Sequence, residues 1–453
     1  MQIPVSAILT ILAIGSVLLM PLLFLPTLRH GVSVAIHKRW FAWPVLLLFA
    51  LLFWPNDSVQ TYTADVDLGT QRLLRIVITC GLFLVLLPRF LKEPIWLKRS
   101  ILNWYLLYIL ACLVSVIYSL DWREALWKSF ELVVILMIAS VVRIDIRRGL
   151  LTLNEILSIY MLLLFVTVLF AFIGWLTFPQ YGYDQWSFLG SESLSRSLGG
   201  IVPRISPNSL GQFAAMVLFA GVASWVLSGK LGKENLIFIV TGGIVLVLAH
   251  ARSSIAAVAL LIMILLLASK QAAGKLLLLP ILVFSALGAE PLIGYYMRGQ
   301  DIDQFQSLSG RTHMWEIAWQ SILENPWFGI GFAGHKTLNI SIGMEYSTLD
   351  STYIEAFVNV GVFGASFLLL FILLVMIRMT MLFIQSVRTG TAFNIPLVVA
   401  AGFIFLMFVR SLSGASFQVL HWNLLMLLTL VVATLESIPS VFMQAQSVQS
   451  KKR

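Results

Sequence analysis

Long apolar runs alternate with short polar segments along almost the whole chain. A helix that spans a membrane needs about 20 consecutive apolar residues. By this measure we predict spans near 3–26, 40–54, 73–88, 101–119, 130–142, 155–178, 207–227, 235–250, 253–269, 275–293, 353–377, 395–410 and 419–437. The pattern predicts an all-α polytopic membrane protein with about 12–13 transmembrane helices.

The composition fits a lipid environment. The chain has 453 residues, of which 59% are hydrophobic and 11% are charged, whereas a soluble domain carries about 25% charged residues. In water such a chain would expose large apolar patches. No segment matches a Rossmann or P-loop pattern, and no Cys/His set has zinc-ligand spacing. We therefore expect no cytoplasmic catalytic domain, no metal and no cofactor.

Lysines and arginines concentrate in one alternating set of loops, which includes Arg29, Arg89, Arg147, Lys230 and Arg388. The alternate loops carry most of the acidic residues. Because basic loops stay on the cytoplasmic side, we predict an inner C-terminus and an outer N-terminus; an even number of spans would place the N-terminus inside instead. This placement explains the net charge of +9 without a nucleic-acid partner.

Two predicted outer segments, 179–208 and 294–352, are longer than a connection requires, and such loops are usually functional. They suggest a division into transmembrane helices (1–293), a periplasmic loop (294–352), and C-terminal helices with a short tail (353–453). The second loop contains an amphipathic pattern, because Met314, Ile317, Ala318 and Ile322 mark one apolar face before Asn325-Pro326 ends it. This helix is predicted to lie along the outer interface, where it either contributes to a site or acts as a lid.

Arginines on the predicted outer side are candidates for anion binding. They are Arg204, Arg252, Arg311 and Arg410. A guanidinium binds phosphate through paired, charge-assisted hydrogen bonds, and a charge at the rim of a membrane domain is a functional hypothesis by default. The alternative is an arginine that extends from a helix end to the lipid headgroups, which fits Arg410 at least as well.

Imidazole and carboxylate groups on the same side are candidates for a general base. The histidines are His250, His313 and His335, and the carboxylate is Asp350 in Leu-Asp-Ser-Thr-Tyr. A histidine in a polar loop is often only solvated, and Asp350 also fits a helix N-cap. For Asp350 the two roles are compatible.

Three segments resemble the O-antigen ligase and O-antigen polymerase superfamily of bacterial surface polysaccharide assembly. They are the Gly-to-Pro-Asn segment 199–211, the Arg-Ser-Ser segment 252–254, and the segment 309–364. The last combines Ser-Gly-Arg-Thr-x-x-Trp, Asn-Pro-x-x-Gly-x-Gly, and a polar pair followed by Gly-x-x-Gly. In ligases that pair usually begins with His, whereas this chain has Asp350-Ser351, which weakens the ligase assignment.

The resemblance implies a metal-independent, GT-C-like glycosyltransferase of the bacterial inner membrane with a periplasmic active site. The donor would be a glycan on undecaprenyl pyrophosphate, and the acceptor a glycan or lipid A-core. Membrane lipids and polysaccharide assembly and chain-length proteins are further expected partners. Arg252 and Arg311 would hold the pyrophosphate, and Asp350 would be the base or would orient the acceptor. The expected substrate-binding residues are Arg204, Asn208, His335 and Ser351.

Other classes of membrane protein could use the same features. A transporter or flippase of lipid-linked glycans would also need many helices and rim arginines, although transporters often show internal repeats and we see none. The peptidoglycan polymerases of cell shape and division fit the 309–364 pattern less well. A structural scaffold explains the polar residues least well.

Overall fold

Apolar helices make up nearly all of the chain that our computed structural model describes. The described residues are 5–53, 70–92, 100–186, 195–269, 311–335, 349–389, 394–414, 417 and 421–450. The helices, numbered in chain order among these residues, are α1 (Val5–Leu22), α2 (Pro26–His37), α3 (Arg39–Phe53), α4 (Thr70–Lys92), α5 (Leu102–Ser115), α6 (Trp122–Arg147), α7 (Leu153–Thr177), α8 (Pro179–Gly182), α9 (Pro207–Ser228), α10 (Lys233–Leu248), α11 (Arg252–Ala268), α12 (Arg311–Glu324), α13 (Thr352–Thr389), α14 (Ile395–Leu412) and α15 (Trp422–Ser450).

Several of these helices can cross a membrane. Within the described residues, five are long and apolar enough: Leu73–Lys92, Leu153–Thr177, Pro207–Ser228, Thr352–Arg388 and Ile395–Leu412. Shorter apolar helices are Arg39–Phe49, Leu102–Ser115, Arg252–Ala268 and Trp422–Ser437. The prediction of an all-α polytopic membrane protein is confirmed. The span predicted near 275–293 lies outside the described residues.

The N-terminal helices form a bent pair that the apolar pattern did not predict. Within the span expected over 3–26, α1 ends at Leu22, and α2 follows at an angle of 107°. Pro26 at the start of α2 favours this break, because proline fits the first turn of a helix but cannot continue one. Helix α2 packs against α7, where Gly31 lies against the carbonyl of Ser158.

The predicted outer segment 179–208 contains two short strands, although we expected only helices. Strand β1 (Tyr183–Trp186) pairs antiparallel with β2 (Ser195–Leu198). The backbone N–H of Gly199 then donates to the carbonyl of Gly182 at 2.8 Å, which closes the hairpin at its base. The chain is thereby returned to the start of α9.

The two ends of the helix bundle differ in their charges. At one end, Lys38 donates to the carbonyl of Leu150, and Arg143 and Arg147 both pair with Glu436, at 2.7 and 2.8 Å. We call it the basic end. A cavity of about 390 Å³ opens there, lined by polar groups such as Thr27, Ser228 and Glu234.

At the other end, which we call the site end, the starts of α9, α11, α13 and α15 lie together. An aromatic cluster packs against these helix starts from the interior of the bundle. The indole of Trp422, at the first position of α15, packs edge-on against Phe49, Tyr160 and Phe213, with ring centroids 4.7, 5.3 and 5.9 Å away. The residues just before and after Trp422 are therefore held in fixed positions.

Candidate functional site

Helix α13 is broken at Gly361, and the break organises the site. Gly361 has φ 60° and ψ −171°, a conformation that essentially only glycine adopts. A Cβ atom at this position would also overlap the backbone of Trp327. Two independent constraints therefore require glycine at position 361, where the chain turns between residues 352–360 and the longer second part of α13.

The Asn-Pro-Trp-Phe-Gly-Ile-Gly segment docks into this break. The backbone N–H groups of Ile330 and Gly331 donate to the carbonyls of Val358 and Asn359 at 2.9 and 3.0 Å. In return, Val362 and Phe363 donate to Pro326 and Trp327 at 2.8 and 3.1 Å. The four bonds pair backbone groups that the broken helix leaves without intrahelical partners.

Helix α12 lies against the first part of α13. Ala318 and Ile322 are buried in a small apolar cluster with Leu349 and Val358, so the predicted apolar face is confirmed. The indole N–H of Trp315 donates to the carbonyl of Leu349 at 2.9 Å. Position 311 is one helical turn before Trp315, on the face of α12 that lies beside Leu349.

Asp350 is held in an unusual backbone conformation at the start of α13. Its φ of 51° is uncommon for a residue other than glycine. The carboxylate of Glu355, which is fully buried, accepts the backbone N–H of Leu349 at 2.8 Å. Ser351 is also buried, while Asp350 is partly exposed. Through this bond Glu355 holds the backbone immediately before Asp350 in place.

His335 is anchored to the same part of α13, and its tautomer follows from geometry. Its backbone N–H donates to Oδ1 of Asn359 at 3.2 Å, so this atom is the amide oxygen. The ring Nδ1 lies 3.0 Å from the same oxygen. Because an amide oxygen only accepts, Nδ1 carries the proton, and Nε2 of the neutral ring carries the lone pair. His335 is 3% exposed.

Arg252 begins α11, immediately after a tight turn over residues 249–251. The turn packs on α9 at Gly211, where a Cβ atom would overlap the Cβ of Ala251. Gly211 belongs to the Pro-Asn-Ser-Leu-Gly segment, whose first turn also carries the partly exposed Asn208. The first two motifs therefore meet at the start of α9. Arg204 lies just before this helix and is exposed.

Hydrogen bonds tie the starts of α9 and α13 to the neighbouring helix ends. Gln212 exchanges hydrogen bonds with Asn423, whose backbone N–H donates to Nδ1 of His421 at 3.1 Å. Across the neighbouring helix end, the Tyr353 hydroxyl lies 2.9 Å from that of Ser411. Thr352 donates to the carbonyl of Gly414 at 2.9 Å. Two groups result: Arg204, Asn208 and Arg252 in one, and position 311, His335, Asp350 and Ser351 in the other.

Arg410, the fourth candidate arginine, caps its own helix. Its Nη1 donates to the carbonyl of Ser413 and, at 3.2 Å, to the Ser413 hydroxyl. This contact satisfies a backbone group at the C-terminus of α14.

Several polar residues of the site were missed from the sequence. Glu355 and Asn359 were overlooked because their positions read as part of an apolar span. Gln212 and Asn423 are lone amides within apolar runs, and neither carries a charge that would attract notice. A buried amide or carboxylate in a predicted span is costly without a partner. A polar residue inside such a span could therefore have been recognised from the sequence as one that needs a hydrogen-bond partner.

Comparison with known families identifies the central part of the chain. Residues 237–369 match the family model described as O-antigen ligase. The match supports the O-antigen ligase and polymerase superfamily that the motifs resemble, and it implies a glycosyltransferase-like enzyme. The matched residues include Arg252, His335 and Asp350 as well as the docked turn and the break at Gly361. No curated protein matches the chain.

Proposed function

We propose that this protein transfers a glycan from an undecaprenyl-pyrophosphate carrier to a sugar hydroxyl at the periplasmic face of the bacterial inner membrane. The observation that carries the proposal is the meeting of the three resembling segments at one end of the bundle. Asp350 lies just before α13, position 311 begins α12, whose Trp315 bonds to Leu349, and Arg252 begins α11, which packs on α9 at Gly211. The lipid-linked donor, the periplasmic location and the independence of metal belong to this proposal.

The reaction requires stabilisation of a leaving diphosphate. The acceptor oxygen attacks the anomeric carbon, the bond from that carbon to the phosphate oxygen breaks, and the lipid diphosphate departs with the extra negative charge. Arg252 and Arg311 would pair with that charge as it develops, which is the largest contribution such a site can make. Arg204 and Asn208, beside Arg252, would contact the same group.

The acceptor hydroxyl must lose its proton as the new bond forms. Asp350 would take this proton or orient the hydroxyl, with the neighbouring Ser351 as a further contact. His335 is a second contact whose Nε2 can accept a hydrogen bond from a sugar. Because an ordinary aspartate is a weak base, orientation by the fixed backbone of Asp350 is its larger contribution.

The decisive assay uses the purified full chain in nanodiscs with a lipid-linked glycan donor and a glycan acceptor. We expect Arg252→Ala and Arg311→Ala to abolish product, and Arg388→Ala, an exposed arginine far along α13, to retain it. Asp350→Asn should keep more activity than Asp350→Ala if orientation dominates. Wild-type product in both arginine variants would reject the diphosphate assignment.

Transport is tested in the same membranes. If the lipid-linked glycan crosses the bilayer and no new glycosidic bond forms, the protein is a transporter and the proposed glycan transfer is rejected. The acceptor is read from the surface glycans of a deletion strain. Loss of long chains with one capped repeat left identifies a polymerase, and accumulation of lipid-linked polymer identifies a ligase.

A further inference from the structure

A cavity at the basic end of the bundle takes no part in the proposed glycan transfer. Its volume is about 390 Å³, within the range of about 300–1,000 Å³ that small-molecule sites occupy. The described residues that line it come from the first halves of α2, α7, α10 and α14 and from the second half of α9. We call it the basic-end cavity.

The lining of this cavity combines apolar and polar side chains. Leu157 and Phe238 supply apolar surface, whereas Asn154 and Ser224 supply hydrogen-bonding groups. Apolar walls with a few polar groups are the usual lining of a binding site. Among the described residues of the lining, only Glu234 carries a charge. Glu234 therefore decides which charged ligand group the cavity favours.

Glu234 joins two helices and has no cationic partner in the part of the chain that the structure describes. Its Oε1 accepts the backbone N–H of Thr27 at 2.7 Å, which ties the start of α10 to the start of α2. Glu155, at the same end of the bundle, lies 3.7 Å from Lys38. Because a carboxylate that is partly removed from water is stabilised by an opposite charge, Glu234 favours a protonated amine.

Two lysines border the cavity. The loop from α9 to α10 carries Lys230 and Lys233, which are both exposed. The carbonyl of Lys230 accepts from Ser228 Oγ at 3.2 Å and from Asn235 Nδ2 at 3.4 Å, and both donors belong to the lining. Lys233 directly precedes Glu234. A carboxylate inside and lysines at the edge fit a ligand whose positive group enters first and whose negative group stays outside.

Exposed apolar residues continue from the cavity along α10. Leu236 and Val240 are exposed, and their spacing of four places them on one face of the helix. Since the first turn of α10 lines the cavity, this face begins beside it. In a membrane such a face contacts acyl chains. The surroundings of the cavity therefore match a lipid, with its head group at the start of α10 and its chains along that helix.

We propose that the basic-end cavity binds the head group of an ethanolamine phospholipid, with the ammonium group on Glu234 and the phosphate at Lys230 and Lys233. Two methylenes separate the amine from the phosphate in this head group, so the amine can enter while the phosphate stays at the edge. The inference does not use the proposed glycan transfer. The proposed placement of the basic loops on the cytoplasmic side supplies only the leaflet.

Three lipids with the same acyl chains test the charge pattern. The full chain in detergent is titrated with dioleoyl phosphatidylethanolamine, phosphatidylcholine or phosphatidylglycerol and analysed by native mass spectrometry. Phosphatidylcholine has a cation without an N–H, and phosphatidylglycerol has no cation. The wild type should bind phosphatidylethanolamine about tenfold more tightly than the others, the usual effect of a hydrogen bond to a charged group. Equal or tighter binding of either other lipid would overturn the proposal.

Glu234→Gln tests the residue itself. The variant keeps an oxygen that can accept the Thr27 N–H, so without lipid it should melt within a few degrees of the wild type. Its affinity for phosphatidylethanolamine should fall about tenfold, to the level of phosphatidylcholine. The matched control is Glu324→Gln, an exposed glutamate of α12, which should bind like the wild type. A lower melting temperature with unchanged affinity would show that Glu234 only stabilises helix starts.

Soluble phosphoethanolamine separates the head group from the lipid. It should compete for the same cavity but bind at least about tenfold more weakly, because it lacks the chains that contact α10. Equal affinity of the soluble compound would contradict a lipid site. These titrations need no donor or acceptor glycan, so a failed transfer assay rejects the proposed function while the lipid measurements still decide this inference.

Discussion

Gln212 on α9 and Asn423 on α15 exchange two side-chain hydrogen bonds, 3.0 Å from Gln212 Nε2 to Asn423 Oδ1 and 3.2 Å in the opposite direction. Both residues are almost fully buried. A reciprocal amide pair fixes the relative position of two helices, because each amide is satisfied only while the other stays opposite. The pair therefore fixes how the starts of α9 and α15 lie relative to each other.

This pair predicts a strong energetic coupling. Gln212→Leu or Asn423→Leu alone should lower the free energy of unfolding by about 1–3 kcal/mol, since one buried amide loses its partner. The double variant should recover part of this loss. Thermal melting of the four proteins in detergent gives the coupling, and purely additive losses would contradict it.

Glycine at position 361 should be required for folding. Gly361→Ala places a Cβ against Trp327 and forces alanine into a strained conformation, which should cost at least about 1–3 kcal/mol. Gly243→Ala on α10 is the matched control, because nothing lies within 4 Å of an added Cβ there and alanine favours a helix. Melting temperatures should fall in the first variant only.

Glu355 should act through the backbone before Asp350. Glu355→Gln retains an oxygen that can accept the Leu349 N–H, whereas Glu355→Leu removes it. We expect the Leu variant to lose about tenfold or more in kcat and the Gln variant to stay near wild type, since a misplaced reacting group is costly. Equal activity of the two variants in the nanodisc assay would argue against this role.

Asn359 should control the tautomer of His335. Asn359→Leu removes the acceptor for Nδ1, whereas Asn359→Asp keeps one. Nitrogen-15 NMR of labelled histidine should show the proton on Nδ1 in the wild type and in the Asp variant, and a mixture of tautomers in the Leu variant. A wild-type tautomer in the Leu variant would show that another contact sets it.

Acidification should destabilise the protein through His421. Its pKa in the folded state is about 4, below the usual value near 6.5, so the unfolded chain binds more protons between these values. Stability should fall as the pH drops from about 6.5 to 4. His421→Gln lacks this titration, and its melting temperature should change less over the same range. Parallel curves for the two proteins would contradict the prediction.

The sequence predicted the helices better than it predicted the site. Apolar runs mark α7, α9 and α14 because lipid and core both demand apolar side chains, and the face of Met314 and Ala318 was correct for the same reason. The docking of 325–331 into α13 was not foreseen, since backbone hydrogen bonds between distant segments leave no periodic signal. Glu355 and Asn359 were hidden in an apolar run, where only their tertiary partners reveal a purpose.

The four hydrogen bonds between the docked turn and the broken helix join main-chain atoms only, so this arrangement requires glycine at position 361 but constrains few of the neighbouring side chains. Residue 350 makes none of these four bonds, so a substitution there, aspartate to histidine included, leaves them intact. The reactive group at this position can therefore change while the backbone arrangement that holds it stays the same.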